Sequence, residues 1–136
     1  MAGVYRPGDV DVDEPSGRIA SVGLCSAGRG LAIPGLTDLQ VNGFAGVDFE
    51  TAHGVARRSD GTLVGSTLTL IEAVRRAHAA GVVLESAVGA ATVTPAALFP
   101  HADLGLLRPG DHADVVVLDD GLEIRSVLQG GTALEC

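Results

Sequence analysis

Pro34-Gly35-Leu36-Thr37-Asp38-Leu39-Gln40-Val41-Asn42-Gly43 reads as a Pro-Gly turn leading into a short, mostly apolar strand. Residues two apart on a strand share a face. Gln40 and Asn42 therefore present two amides side by side, with Asp38 on the same face. Where a parallel barrel strand ends, such a pair faces chemistry. The rest of the chain is read for the partners that chemistry needs.

The 136 residues suffice for one domain with a core. They fall short of a (β/α)8 barrel, which needs about 250. Hydrophobic residues make up 46% and charged residues 19%, with a mean hydropathy of +0.34. No apolar stretch approaches the roughly 18 residues of a membrane span, so the excess is expected in a core or a partner surface. No basic region followed by an apolar core opens the chain at Met1-Ala2-Gly3-Val4, which predicts a cytoplasmic protein. Cys25 and Cys136 form no metal spacing and read as free thiols. The net charge is −8, and all nine basic residues are Arg. That balance argues against nucleic acid, which needs clustered positive charge. With only Tyr5, Phe44, Phe49 and Phe99 as aromatics, no sugar-stacking platform is evident.

Residues 1 to 33 read as β. Asp9 to Asp13 alternate, Pro15-Ser16-Gly17 turns, and Arg18 to Val22 alternate again. Asp9, Asp11 and Asp13 suggest a calcium loop only superficially, because the Gly and closing Glu of that pattern are out of register. A solvated strand face is the favoured reading. Residues 51 to 61 are weakly patterned, with Arg57 to Gly61 as an exposed loop. Helical signals begin at Ser66. Thr69 and Glu72 make a capping box, and Leu70, Val74, Ala77 and Gly81 form one stripe, with Glu72, Arg75, Arg76 and Ala79 turned away. Gly81 ends that helix. A second helix is predicted over residues 84 to 92, with Leu84, Ala87, Val88 and Ala91 on one side. Thr94 is then expected to cap a short turn starting at Pro95. The unbroken apolar run at residues 115 to 118 predicts a strand covered on both faces. Leu122, Ile124, Ser126 and Leu128 predict a one-sided strand, and Gly130-Gly131 a hairpin turn.

Three stretches together resemble one family. Residues 34 to 43, with Gly46-Val47-Asp48-Phe49 after them, are similar to the first barrel strand of the N-acetylglucosamine-6-phosphate deacetylases, members of the amidohydrolase superfamily. Residues 61 to 69 resemble the loop and helix start that follow the last barrel strand in that family. Residues 90 to 96 and 105 to 119 resemble the C-terminal signature of the wider superfamily. Most amidohydrolases carry His-x-His where this chain has Gln40-Val41-Asn42; the Gln-x-Asn pair resembles a deacetylase variant associated with a one-metal site.

The resemblance implies a hydrolase of amino-sugar metabolism whose family uses a divalent metal such as zinc. It places Gln40 and Asn42 at the edge of the active centre and the backbone of Leu63, Val64 and Gly65 against substrate. In the family nearly the whole barrel lies between the first two stretches. Here residues 44 to 60 intervene, 17 positions, against a barrel of about 250 residues. The family's metal-binding Glu and His residues and its catalytic Asp have no counterparts in that span.

Amide hydrolysis needs a metal to polarise the carbonyl, a carboxylate to move the proton and donors to hold the sugar phosphate. His53, His78, His101 and His112 make no HxH or HExxH spacing. His101 with Asp103, and His112 with Asp114, read as surface pairs. Asp38 reads as a structural carboxylate, Gly65 as a helix-leading turn, and Gln40 and Asn42 as hydrogen bonding to backbone or water. No catalytic residue, metal ligand or bound cofactor is therefore expected of this chain alone.

The predicted fold class is α+β: a small β-sandwich of N- and C-terminal strands with two or three helices, a remnant of the amidohydrolase composite fold without a complete TIM barrel. Residues 1–136 form one domain, with sandwich strands in 1–33, a remnant barrel strand and loop in 34–65, helices in 66–100 and sandwich strands in 105–136. Two functions follow. One is a truncated deacetylase-like protein, inactive alone. The other is a binding or assembly module whose helix stripes, exposed where the barrel is absent, drive self-association or docking on a full-length deacetylase. Neither nucleic acid nor membrane is an expected partner.

Overall fold

A computed structural model describes residues 8–23, 30–39, 50–52, 55–57, 60–66, 68–99 and 103–135. Strands β1 (Val10–Asp13) and β2 (Arg18–Val22) form an antiparallel hairpin. Gly17 closes its turn at φ +65°. A side chain there would also strike the Gly130 carbonyl, only 2.7 Å from its Cβ position, so glycine is required twice over. Asp11 and Asp13 lie on the exposed face of β1, as a solvated strand face requires.

The two ends of the chain meet in one sheet. β3 (Leu31–Pro34) pairs antiparallel with β7 (Val115–Leu118), and β8 (Ile124–Gln129) and β9 (Thr132–Leu134) complete the order β3-β7-β8-β9. The register sets Leu31 opposite Leu118 and Ile33 opposite Val116. The β1–β2 hairpin is tied to the segment before β7. Ile19 N–H donates to the Asp111 carbonyl at 3.0 Å, Gly110 N–H to Ile19 at 2.8 Å and Ala113 N–H to Gly17 at 3.0 Å.

Three helices follow a second, three-stranded sheet. That sheet comprises β4 (Glu50–Ala52), β5 (Val55–Arg57) and β6 (Leu63–Ser66) in sequential order. The predicted loop over Leu63, Val64 and Gly65 is thus a strand. Its β5–β6 connection holds Asp60, whose side chain accepts the Thr62 N–H at 2.8 Å, and Gly61 at φ +83°. An Asp-Gly pair folds the chain back on itself, and Ser66 belongs to that strand rather than to a helix. Helix α1 (Leu70–Ala79) starts at the predicted cap, with Thr69 Oγ1 accepting the Glu72 N–H at 3.4 Å. Gly81, at φ +96°, follows its end. Helix α2 (Leu84–Ala91) runs as predicted. The short helix α3 (Val93–Ala96) starts after Thr92, ahead of the predicted Thr94 cap, and Thr92 makes no side-chain capping bond. Thr92 is buried, and its hydroxyl donates to the Val88 carbonyl at 2.8 Å, binding α3 to the end of α2.

The helix stripes are not exposed. Ile71 and Val74 of α1 and Ala87, Val88 and Ala91 of α2 pack with Ile33, Val116 and Leu118 in one core. Leu31, Leu36, Ala77, Leu84, Leu122 and Val127 close its margins. The expectation of bare stripes fails because the β3–β7–β8 sheet supplies the apolar face that the helices cover. Arg75 does not turn away either. It reaches the sheet, donating from Nε to the Leu122 carbonyl at 2.9 Å and from Nη2 to Glu123 at 2.7 Å. That bond holds Leu122 at φ +62°, a left-handed conformation unusual for a non-glycine residue. Strand β8 also departs from the one-sided pattern. Ile124 is exposed, while Val127 and Leu128 on opposite faces are both half-buried. A register shift between Val117 and Leu118 displaces the start of the pairing.

Asp119 organises the β7–β8 turn. Its side chain accepts the Gly121 N–H at 2.8 Å and the Glu123 N–H at 2.9 Å, and Arg125 donates to it at 2.6 Å. The Glu123 amide, joined by Gly121 and Arg125, holds this carboxyl below its ordinary range against the opposing effect of desolvation. A depressed folded pKa stabilises the fold above the unfolded value of about 3.9. That contribution is lost as pH falls through the folded value. Thermal melts of Asp119→Asn should show a lower Tm at pH 7 and a smaller drop on acidification than the parent; an equal acid-induced drop refutes this. Leu118→Ala removes a fully buried side chain and should cost about 2–5 kcal/mol in urea denaturation, with sheet and helix signals lost in one transition.

Candidate functional site

An open cleft of about 530 Å³ lies where the chain leaves β3. Its walls come from both halves of the chain: residues 35–38, Leu104 to Leu106, and the β7, β8 and β9 ends with Val116, Leu128 and Leu134. Asp38, His112, Asp114 and Gln129 supply the polar lining. The segment carrying the sequence's amide pair therefore does border a concavity. Gln40 and Asn42 themselves lie outside the described residues.

The expected strand after Pro34 does not form over its described part. Residues 35–38 have no regular structure. A strand needs a neighbour for its amides; here Gly35 N–H donates to the Asp114 carbonyl at 2.8 Å and Thr37 N–H to Ala91 at 2.9 Å. The second bond ties the segment to the last residue of α2. Leu36, next to Thr37, packs at the edge of the core.

Asp114 is a structural group. Its Oδ1 accepts the Gly130 N–H at 2.8 Å, fixing the β8–β9 turn, while its backbone holds Gly35. His112 N–H donates to the Asp103 carbonyl at 3.1 Å, and the Asp103 side chain pairs with Arg18 at 2.9 Å. Arg18 also reaches the Gly110 carbonyl at 2.6 Å. Asp103 and Asp114 thus join hairpin, loop and sheet through their side chains, and His112 does so through its backbone N–H; His101 lies outside the described residues, as do His53, Cys25 and Cys136. His78 Nδ1 stands 3.0 Å from the Val82 carbonyl just beyond α1. Leu63 and Gly65 pair with β5 opposite Arg57 and Ala56, and β6 is not among the described walls of the cleft.

A hydrolytic metal takes about three protein ligands and leaves one position open. Among the described residues, no three His, Cys, Asp or Glu side chains converge on a point. Asp114 already has one oxygen engaged. The described residues do not fit a divalent ion. A sugar phosphate fares no better: the described lining brings two carboxylates and no Arg, whereas phosphate recognition relies on cationic forks and amides. Sequence reading placed Asp114 in a surface pair with His112 because nothing in His112-Ala113-Asp114 announces a bond to Gly130, 16 positions away.

Comparison with known proteins gives matches over part of the chain. No family model matches the chain. It is 37% identical over 91 residues to the N-acetylgalactosamine-6-phosphate deacetylase of Escherichia coli O157:H7, covering 65% of this chain and 24% of that protein. Identity and span are the same for the "Putative N-acetylgalactosamine-6-phosphate deacetylase" of Escherichia coli strain K12, of which 54% is covered. The N-acetyl-D-glucosamine-6-phosphate deacetylase of Mycobacterium smegmatis, solved with N-acetyl-D-glucosamine-6-phosphate, superposes with a TM-score of 0.55 at 33% identity. The match covers 74% of this chain and 26% of that one. The chain fits the N-acetylglucosamine- and N-acetylgalactosamine-6-phosphate deacetylase family, over part of its length. It spans about half of one curated relative and about a quarter of the other. The deacetylase resemblance read from the sequence therefore holds, and the described fold is mixed helix and sheet without a closed barrel. No described helix is long and apolar enough to cross a membrane.

If Asp114 acts as a strut, Asp114→Ala leaves the half-buried Gly130 amide unpaired. Urea denaturation should show a loss of about 1–3 kcal/mol. Asp11→Asn on the exposed face of β1 should stay within about 0.5 kcal/mol of the parent. Equal losses for the two would remove the distinction.

Proposed function

We propose that this chain is a truncated N-acetylglucosamine-6-phosphate deacetylase-like protein, shortened in its middle and without hydrolytic activity on its own. The observation that carries this reading is the short span between the two family-like stretches, residues 44 to 60, with residues 35–38 folded straight onto α2. Segments that flank a barrel in the family resemblance here meet each other. Helices expected to cover barrel strands instead seal the four-stranded sheet. The joined N- and C-terminal strands are the remnant of the small family β-sandwich. Gln40 and Asn42 then mark ancestry at the edge of a lost site, and Leu63 to Gly65 keep a family backbone segment. The divalent metal belongs to the family chemistry rather than to this chain. The protein resides in the cytoplasm.

The test is hydrolysis of N-acetylglucosamine 6-phosphate and N-acetylgalactosamine 6-phosphate with zinc and other divalent ions added. No turnover above buffer is expected. Turnover that disappears in Asp38→Asn would overturn the proposal, because it would place a working acid–base group at the cleft.

A second reading is an assembly module for a further copy or a full-length deacetylase. Its support is exposed apolar surface: Val83 is 63% exposed after α1, and Leu98 and Phe99 are 68% and 50% exposed after α3. Sedimentation of the chain, alone and mixed with a full-length deacetylase, distinguishes the two. The first reading expects a monomer in both; a dimer, or a complex that Leu98→Ser with Phe99→Ser dissolves, establishes the second.

A further inference from the structure

We draw no further inference here: the strongest candidate, the open apolar cleft between the 35–38 segment and the β8–β9 end of the four-stranded sheet, carries nothing because nothing in the structure shows what covers it.

Discussion

Everything described in the main sheet depends on β3 meeting β7. The pairing sets Ile33 beside Val116 and Leu31 beside Leu118, and among the described residues β3 has no other strand partner in the sheet. Its contribution is chiefly burial. Ile33 and Leu118 are almost wholly removed from solvent, and each such side chain stabilises by about 1.5–3 kcal/mol. Without β3, the helices would cover half a sheet and the core would open along Val116. The constraint is also long-range. Closing a loop of this size costs conformational entropy, but each doubling of length adds only about 0.6 kcal/mol. A barrel inserted between the halves would therefore weaken their pairing little. What decides whether the halves stay together is the apolar face they make jointly.

Around that pairing, polar groups act as struts. Asp114 joins Gly35 to Gly130 through one residue, backbone on one side and carboxylate on the other. Arg75 crosses from α1 to the β7–β8 turn and bonds a carbonyl whose residue holds a left-handed conformation. Asp119 satisfies two amides and a guanidinium in the same turn. Arg18 and Asp103 fasten the hairpin to the loop before β7. Groups that resemble an active-site inventory when listed by residue type are occupied in holding elements together.

The local elements were legible because their causes are local. Thr69 with Glu72, Gly81, the apolar run at 115–118 and Gly130-Gly131 each contain their own reason within a few residues. The family was legible for a similar reason, since residues 34 to 43 and 61 to 69 carry their signal in order and spacing. Less was legible between them. The Asp60-Gly61 turn is a recognisable hairpin device, but its short flanking strands offered too little alternation to outweigh a loop reading. Leu36 to Leu39 look like a strand in isolation, yet a strand exists only when another backbone accepts its hydrogen bonds. Arg75 read as solvent-facing because its neighbours Arg76 and Ala79 do; its length let it reach Leu122 instead.

By itself, the sequence determined the periodicity of each element, most of its ends, and kinship with sugar-phosphate deacetylases. Those depend on backbone propensity, turn chemistry and residue order, which are properties of short stretches. Only the tertiary structure decided where the apolar stripes go, which carboxylates serve as struts, and that residues 35–38 lie against α2 rather than beside another strand. These depend on which surfaces meet across more than 80 residues of chain. No short stretch contains that information, because burial and hydrogen-bond satisfaction are settled jointly by both partners.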